Sequence, residues 1–553
     1  MSERALARAR PALPAVPRGA GLGPIVAVAW AGVLDRTRRP AFALGLVFML
    51  WLGQHMLPPA GSAYRTFVMD DEFRPLYNAA WVGTLTAILT GMWFLFVGFY
   101  QAKGSVERDR RTGVGQLLAA SRMSTLAYVS ARTLGNLIAF AIQAAVVALA
   151  ALIQQQLLAE DRRVDLAATL LPFLAITGPL ALFASASAVF FDCMSWLRGG
   201  LGNFVWFFLL GFLLSASGMQ DPKTSASRDL TGARAVVNDL RATLAAQHPE
   251  TASHPPEFSM GVNLSPRANA HPVKTFHWEG TRWTAGALAS RLPFVLGSVL
   301  VVLAAAFLFD RFDATSRVRA ERGRRGARAT TTEAQLPAVP VGQLTVARRG
   351  AAFAGVVRAE LALMLRAPSM WWWLGVLGLW IAEFATPLLA LRTVVLPLAS
   401  IWPALLWSQL GQRERRHDTG PLLFSCPRPL ARLLPGAWAA GAIVGLLVGA
   451  PALLRFAFSL GAEGSSGALA GWLSCAAFVP AAALALGVWT GGSKAFEVLY
   501  LFAWYVGPMH HVAELDYTGV TTARSPVLWA VYLALTVVAY ALASAMRMRQ
   551  LRS

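Results

Sequence analysis

The chain has 553 residues, of which 56% are hydrophobic and only 14% are charged, and its formal net charge is +20. Roughly 25% of the residues of a soluble domain are charged, so this composition excludes an ordinary soluble protein. A membrane-spanning helix needs about 20 apolar residues, and such stretches recur along the whole sequence. The basic residues cluster beside these stretches, as the positive-inside rule describes. The charge therefore indicates membrane topology, and we expect no binding of nucleic acid.

The first half of the protein is predicted to follow an N-terminal cytoplasmic segment, residues 1–40. In residues 22–36 of that segment, apolar positions three and four apart precede a basic end. This spacing is typical of a helix that lies in the membrane interface, and an ordinary loop is the alternative. The half itself, residues 41–309, is expected to contain six spans, at about 41–57, 79–99, 134–157, 168–191, 201–217 and 292–309.

The loop 218–291 separates the fifth and sixth of these spans and is predicted to lie outside the membrane. One stretch of the loop has a helical period of apolar residues, carried by Ala233, Val236, Val237, Leu240 and Leu244. Prolines interrupt the remainder of the loop. We therefore expect a small lid with one helix and not a separate substrate-binding domain.

A basic cytoplasmic linker, residues 310–350, precedes the second half, residues 351–553. Residues 353–368 repeat the pattern of an interfacial helix. Six further spans are expected at about 370–390, 393–410, 436–458, 467–489, 495–512 and 526–546. The span 393–410 contains Pro397 and Pro403, so it is expected to be tilted or broken. The predicted fold is thus all-α and polytopic, with about twelve transmembrane helices in two six-helix halves.

The distribution of Lys and Arg sets the predicted orientation. With this topology, 34 of them lie on the inside and 15 on the outside, eight of the 15 in the long loop 218–291. Long loops contribute little to orientation, so the contrast predicts that both termini are cytoplasmic. We expect a multi-pass protein of the cytoplasmic (inner) membrane, embedded in the lipid bilayer.

Two charged segments resemble each other, and each follows the second span of its half. Residues 107–113 read Glu-Arg-Asp-Arg-Arg-Thr-Gly, and residues 414–420 read Glu-Arg-Arg-His-Asp-Thr-Gly. A glutamate can accept charge-assisted hydrogen bonds, and Thr-Gly suits a cap or a tight turn. Either copy alone could be a solvated charge run, but the recurrence indicates that something docks at each. The candidate docking residues are Glu107, Arg110, Arg111, Thr112, Gly113, Glu414, Arg415, Arg416, Thr419 and Gly420.

The chain lacks the sequence of a nucleotide site of its own. A phosphate-binding loop has the form GxxxxGK[ST], and none of the four lysines follows a glycine. If ATP drives this protein, another polypeptide must hydrolyse it. Neither catalytic residues nor a cofactor site is predicted, and no metal site is assigned, because the histidines show no repeated ligand spacing.

The order of these features resembles the type-2 ABC exporter permeases. The shared order is an interfacial helix, two spans, a Glu-to-Thr-Gly segment and four more spans. The resemblance implies a transport subunit, not an enzyme, whose coupling segments (here 103–126 and 411–432) dock on a separate ABC ATPase. Two fused halves would bind two copies of that ATPase, and the exported substrate is not identified. Prolines interrupt only the second segment, so a longer helix is expected in the first, with unequal coupling as a hypothesis.

Two other classes of function stay open. A twelve-span, proton-coupled carrier of the major facilitator type also has a charged loop after its second span, but Val114 stands here where that family has a basic residue. A polytopic membrane-bound transferase could use the acidic cluster of Asp70, Asp71 and Glu72 to hold a metal.

Charged residues inside predicted spans are further candidates, because they are costly in lipid and often functional. Glu383, near the middle of its span, could line a transport pathway or form a structural bond between helices. Glu497 and Arg455 lie nearer the ends of their spans, and we expect both to extend toward the interface.

Overall fold

The computed structural model describes residues 23–58, 65–69, 72–216, 229, 231–253, 258–263, 273–310, 312, 352–366, 368–425, 429–460, 465–519 and 526–552. Most of the predicted linker 310–350 lies outside the described residues, as do Asp70 and Asp71 of the acidic cluster. The chain forms two compact units. Unit 1 contains Met1–Phe190 and Met219–Phe312, and unit 2 contains Phe191–Gly218 and Asp313–Ser553. Residues 191–218, which precede the predicted external loop, thus belong to unit 2.

The helices before the linker follow the apolar stretches of the first half. In chain order they are α1 (Gly23–Thr37), α2 (Pro40–Met56), α3 (Ala79–Trp93), α4 (Phe99–Ala102), α5 (Ser105–Arg111), α6 (Val114–Ala120), α7 (Thr125–Leu158), α8 (Leu166–Pro172), α9 (Gly178–Cys193), α10 (Gly200–Ala216), α11 (Ala233–Gln247), α12 (Ala285–Ala289) and α13 (Leu292–Leu308). A π-helical turn joins α3 to α4, and another joins α8 to α9. Side-chain caps fix four starts, since Asn78, Ser124, Asp165 and Thr284 each accept a hydrogen bond from a backbone N–H of the first turn.

The helices after the linker are shorter and more often interrupted. They are α14 (Ala352–Arg366), α15 (Met370–Ala385), α16 (Leu388–Ala390), α17 (Leu396–Ile401), α18 (Ala404–Trp407), α19 (Arg413–Arg416), α20 (Gly420–Phe424), α21 (Pro429–Val448), α22 (Ala450–Phe458), α23 (Ser465–Thr490), α24 (Lys494–Trp504) and α25 (Pro526–Arg552). The apolar core of unit 2 includes the buried Trp407, Trp472 and Trp504. Helices are present at both predicted interfacial stretches, as α1 and α14.

Eight helices of the described part of the chain are long and apolar enough to cross a membrane. They are Ala79–Arg111, Thr125–Leu158, Leu166–Cys193, Ala285–Leu308, Leu388–Trp407, Pro429–Val448, Ser465–Thr490 and Val527–Arg552. Three shorter apolar helices, α2, α10 and α15, coincide with three more predicted spans. The protein is therefore a multi-pass, predominantly helical membrane protein. The one predicted span that remains, 495–512, is α24 with a π-helical turn. It is neither among the eight long helices nor among the three shorter ones, so the number of twelve spans stays a prediction.

Two predicted spans of unit 2 are broken. One span is helical from Leu388 to Ile401, with a π-helical turn between α16 and α17, and is interrupted at residues 402–403 before α18, which confirms the expected interruption at Pro403. Side chains of α24 satisfy carbonyls there: the Trp504 indole N–H donates to the Pro397 oxygen at 2.6 Å, and the Tyr500 hydroxyl donates to the Ser400 oxygen at 2.7 Å. The predicted span 436–458 is also interrupted, because α21 ends at Val448 and α22 begins at Ala450, with Gly449 between them.

A small β-sheet in unit 1 was not predicted. Its four strands, counted within the described residues, are β1 (Arg65–Met69), β2 (Phe73–Pro75), β3 (Phe258–Asn263) and β4 (Lys274–Phe276), in the order β3-β1-β2-β4. The β1 strand is antiparallel to both neighbours, whereas β2 and β4 are parallel. The predicted helix of the long loop is confirmed as α11, and the Trp278 indole donates to Asp239 of that helix at 2.8 Å. The loop 218–291 thus shares one sheet with the chain between α2 and α3.

Candidate functional site: the two charged segments

The first charged segment, residues 103–126, is called segment A. It contains two short helices, α5 and α6, and each begins after a glycine in the left-handed region: Gly104 has φ = 98° and Gly113 has φ = 77°. Glycine occupies this region without the steric cost that a Cβ brings. The predicted turn at Thr112-Gly113 is therefore confirmed, and it changes the direction of the chain between α5 and α6.

The second charged segment, residues 411–432, is called segment B. It begins in the same way, because Gly411 has φ = 71° and precedes Glu414 by three residues, as Gly104 precedes Glu107. Its second turn differs, since the left-handed residue is Asp418 (φ = 52°) and Gly420 starts helix α20. Of the two predicted alternatives, a cap or a tight turn, Thr419 takes the cap position: it is the N-cap of α20, without a side-chain hydrogen bond to the helix. The helices α19 and α20 have four and five residues, against seven each for α5 and α6, as the prolines predicted.

Each segment forms an ion pair with the helix that precedes the first span of its unit. In unit 1, the Arg108 guanidinium pairs with Asp35 of α1. In unit 2, the Arg413 guanidinium lies 2.9 Å from a carboxylate oxygen of Glu360 in α14. The sign of the charges is the same in both units, with the arginine on the segment. The predicted interfacial helices therefore hold the segments in place.

Each segment is also paired with the last helix of its unit, but with the charges reversed. In unit 1, Arg110 of segment A lies 3.8 Å from Asp310, just beyond the end of α13, and over the ring of Phe312. In unit 2, Glu414 of segment B pairs with Arg547 of α25. Two ion pairs to separate helices restrain each segment at two points. This shared arrangement relates the two copies more firmly than their sequences do.

Segment A has an additional buried contact. Asp109 is 4% exposed and accepts hydrogen bonds from both Arg132 and Tyr128 of α7. The equivalent position of segment B, counted from the glutamate, is Arg416, which is exposed. A charged group with two charged or polar donors can stay buried, whereas an unpaired one could not. These contacts hold segment A to α1, α7 and the end of α13. The two ion pairs of segment B hold it to α14 and α25.

The ion pair between Glu360 and Arg413 in unit 2 is partly desolvated. Burial raises the pKa of the Glu360 carboxyl and lowers the pKa of the Arg413 guanidinium, because desolvation outweighs the attraction between the two charges. A buried pair of this kind contributes little net stability, but removing one partner strands the other charge. The pair is thus suited to fixing the position of segment B and adds little to the stability of the fold.

Both segments also present exposed side chains. In segment A, Arg111 is exposed and bonds to Glu107 at 3.0 Å, and Leu117 of α6 is 74% exposed. In segment B, Arg415 and Arg416 are exposed, and Leu422 of α20 is 76% exposed. Of the remaining candidates, Thr112 is exposed, while Gly113, Thr419 and Gly420 are half-buried. Each segment therefore combines arginine with an exposed leucine on a short helix.

Glu383 lies among contacts that brace the break between α21 and α22. Its carboxylate is 0% exposed and accepts a hydrogen bond of 3.1 Å from the Ala452 N–H in the first turn of α22. One turn earlier on α15, the Trp380 indole N–H donates to the carbonyls of Leu447 and Val448 at the end of α21. Arg455 donates to the Glu383 carbonyl. These contacts fit the structural bond between helices, and a place for Glu383 in a transport pathway stays a prediction.

Sequence reasoning missed the groups that hold the segments. The residues Asp35, Asp310, Glu360 and Arg547 are far from the segments in sequence, so no local pattern pointed to them. Glu497 was also misjudged: it does not extend toward the interface, because it is fully buried and accepts a hydrogen bond from Asn203 of α10. Within the described residues, no group of three or more His, Cys, Asp or Glu side chains is placed to hold a metal ion.

Comparisons with family models and with curated proteins give neither a family nor a function for this chain. No protein-family model matches the chain, and no curated protein matches it either.

Proposed function

We propose that this protein is the membrane permease of an ATP-driven exporter, in which segments A and B receive a separate ATPase subunit. The observation that carries the proposal is the matched anchoring of the two segments. In each unit, an exposed charged segment is paired with the helix before the first span and with the end of the last helix. A solvated charge run would need neither anchor in either unit.

The anchors supply what force transmission requires. A segment that moves with a motor must pass the movement to the membrane helices and must not fold away from them. Ion pairs to two helices restrain both position and direction, and charge-assisted hydrogen bonds are among the stronger polar contacts. Movement of segment A would displace α1 and the end of α13, and movement of segment B would displace α14 and α25. Displacement of packed helices is how transporters alternate access across the bilayer.

The exposed side chains indicate the chemistry of the partner. Arginine is among the residues that contribute most binding energy at interfaces, exposed apolar surface marks interaction sites, and charged rims steer the encounter. Arg111 with Leu117, and Arg415 with Leu422, fit a groove that has an apolar floor and acidic walls. The ATPase must come from another polypeptide, since this chain has no phosphate-binding loop.

Affinity purification with variants tests the proposal. The wild-type chain should retain a protein that hydrolyses ATP and carries a phosphate-binding loop. The double variant Leu117→Asp, Leu422→Asp should lose that protein, because each substitution places a carboxylate in the apolar part of an acidic groove. Leu288→Asp, an exposed leucine outside both segments, is the control and should retain it.

Two outcomes would contradict the proposal. One is retention of no ATP-hydrolysing protein by the wild-type chain. The other is equal retention by the double variant and the control. Transport that requires a proton gradient and no ATP would instead identify a secondary carrier.

A further inference from the structure

A second repeated sequence, Asp-x-Thr-Gly, precedes the last span of each half. It occurs once in each unit, at Asp229–Gly232 and at Asp516–Gly519. Neither copy overlaps segment A or B. Both follow the predicted fifth span, so topology predicts that both lie on the outside. Because Asp-x-Thr-Gly recurs at equivalent positions of the two halves, as segments A and B do, we expect it to have a function as well.

The two copies fold into the same turn. In unit 1, one oxygen of Asp229 accepts hydrogen bonds from the Thr231 N–H, the Thr231 hydroxyl and the Gly232 N–H, at 2.9–3.0 Å. In unit 2, Asp516 accepts the same three bonds from Thr518 and Gly519, at 2.8–3.1 Å. Both carboxylates are 2% exposed, and both glycines are left-handed, with φ of 76° and 82°. The other oxygen of Asp229 accepts the Arg234 N–H at 2.9 Å and lies 3.8 Å from a guanidinium nitrogen of Arg291.

Each turn rests on the predicted fourth span of its own unit. A Cβ on Gly519 would lie 2.8 Å from the Cα of Gly471 in α23, so the two backbones are in direct contact. A Cβ on Gly232 would lie 3.4 Å from the Cγ1 of Ile176, in the π-helical turn that leads into α9. A side chain at Gly519 would push the loop off the helix, and the left-handed conformation disfavours a side chain at either glycine.

In unit 2, the same helix also meets segment B. A Cβ on Gly487 of α23 would collide with the carbonyl oxygen of Leu410, directly before segment B. Gly487 follows Gly471 by 16 residues, about 24 Å along a helix that rises 1.5 Å per residue. The turn and segment B therefore contact opposite ends of α23.

We propose that Asp229–Gly232 and Asp516–Gly519 are a matched pair of latches, each fastening the loop before the last span to the fourth span of its unit. The buried carboxylate holds the turn closed, and the glycine allows it to lie flat on the helix. In unit 2, a displacement of segment B reaches the latch through α23. This last consequence rests on the proposed function, whereas the latches themselves do not.

Thiol labelling of the full chain in lipid nanodiscs tests the latch of unit 2. Cys475 lies one turn beyond Gly471 on α23 and is 1% exposed. With Cys193→Ser and Cys426→Ser it becomes the only thiol of the chain. Asp516→Ala removes the acceptor of three hydrogen bonds, so a maleimide should modify Cys475 about tenfold faster or more. Asp516→Asn keeps the accepting oxygen and should label slowly, and Asp229→Ala should leave the rate unchanged.

The reciprocal experiment uses Ile176→Cys with all three native cysteines replaced by serine. Asp229→Ala should now accelerate labelling, and Asp516→Ala should not. Asp229→Asn should accelerate it too, because an amide group would face the Arg234 N–H that the second carboxylate oxygen accepts in the native protein. The asparagine variants thus separate a specific turn from a general need for an acidic residue.

Two results would overturn the latches. Unchanged labelling after the alanine substitution in the same unit would show that the carboxylate does not hold the loop. Acceleration of both probes by either substitution would show general loosening of the fold. If Asp516→Ala does not yield folded protein, Thr518→Val removes one bond only and provides the same comparison. Labelling requires neither ATP nor a partner, so its failure leaves the proposed function standing.

Discussion

At the scale of single residues, a few side chains satisfy the backbone where helices of unit 2 break. Between α21 and α22, Trp380 donates to the carbonyls at one helix end and Glu383 accepts from an N–H at the next start. The last carbonyls and first N–H groups of a helix have no partner within it. In the core of a bilayer no water is available to form hydrogen bonds with these groups. Both side chains therefore make an interrupted span possible at Gly449.

Substitution of Trp380 measures this contribution. Trp380→Phe keeps the aromatic ring but removes the N–H that reaches Leu447 and Val448, and we expect a loss of about 1 kcal/mol of stability. The measurement is the midpoint of thermal unfolding in detergent. Trp371→Phe is the matched control, because Trp371 lies on the same helix and is highly exposed. Equal midpoints for the two variants would show that the indole bonds do not brace the break.

A second residue-scale prediction concerns pH. The Arg74 guanidinium donates to both oxygens of Glu160, at 2.7 and 2.8 Å, and lowers the pKa of that carboxyl. A carboxyl whose pKa is lowered by folding stabilises the protein above the ordinary glutamate pKa of about 4.3, and this stabilisation disappears as pH falls through the folded value.

Glu160→Gln should therefore unfold at a lower temperature than the wild type at pH 7, by the equivalent of about 1 kcal/mol or less, since the pair is partly exposed. The difference should shrink as pH falls below about 4.3 and disappear below the lowered pKa of Glu160 in the folded protein, where residue 160 is uncharged in both proteins. Thermal unfolding at a series of pH values measures it. A difference that is the same at all pH values would mean that the ion pair contributes nothing.

At the scale of elements, the sequence predicted the helices because each requires only a local signal. Apolar stretches, prolines and capping residues are contained within the helices they specify, and the proline at 403 correctly marked a broken span. The gap at Gly449 also has a local signal, because Gly449 and Pro451 stand at its edge, but the contacts that satisfy its free backbone groups come from another helix, α15. The four short strands pair across nearly 200 residues, which no local pattern records.

The candidate site was predictable to the same extent. Recurrence located segments A and B, and the resemblance of their order to a known family suggested docking. The ion pairs that hold them were not predictable, because their partners lie on remote helices and the charges are reversed between Arg110–Asp310 and Glu414–Arg547. The Asp-x-Thr-Gly motif was visible in the sequence, but the sequence did not show that both copies form the same turn.

A double-mutant cycle tests the anchor of segment B. We expect Glu360→Gln and Arg413→Gln to be non-additive, with a coupling of about 0.5–1 kcal/mol, because each single change strands a partly buried partner. Unfolding midpoints in detergent provide the four values. The exposed pair Glu107–Arg111 is the matched control and should couple by about 0.3–0.5 kcal/mol, as is usual four residues apart on a helix. Additive effects at Glu360 and Arg413 would remove this anchor from the account.

At the scale of the whole molecule, the two units carry the same devices in unequal forms. Segment A has longer helices and a buried aspartate, whereas segment B is shorter and more exposed. We therefore expect Leu117→Asp to reduce retention of the ATPase more than Leu422→Asp. Quantitative affinity purification of the single variants measures the difference, and equal losses would show that the two segments bind alike.

The central claim is that the two segments dock a separate ATPase. A photo-cross-linking amino acid at residue 117, and in a second protein at residue 422, tests it most directly in native membranes. The account predicts that both positions capture a protein with a phosphate-binding loop, and that the same probe at Leu288, an exposed position just before the last predicted span of the first half, does not. Capture of no nucleotide-binding protein at either segment, in cells that make the functional chain, would contradict it.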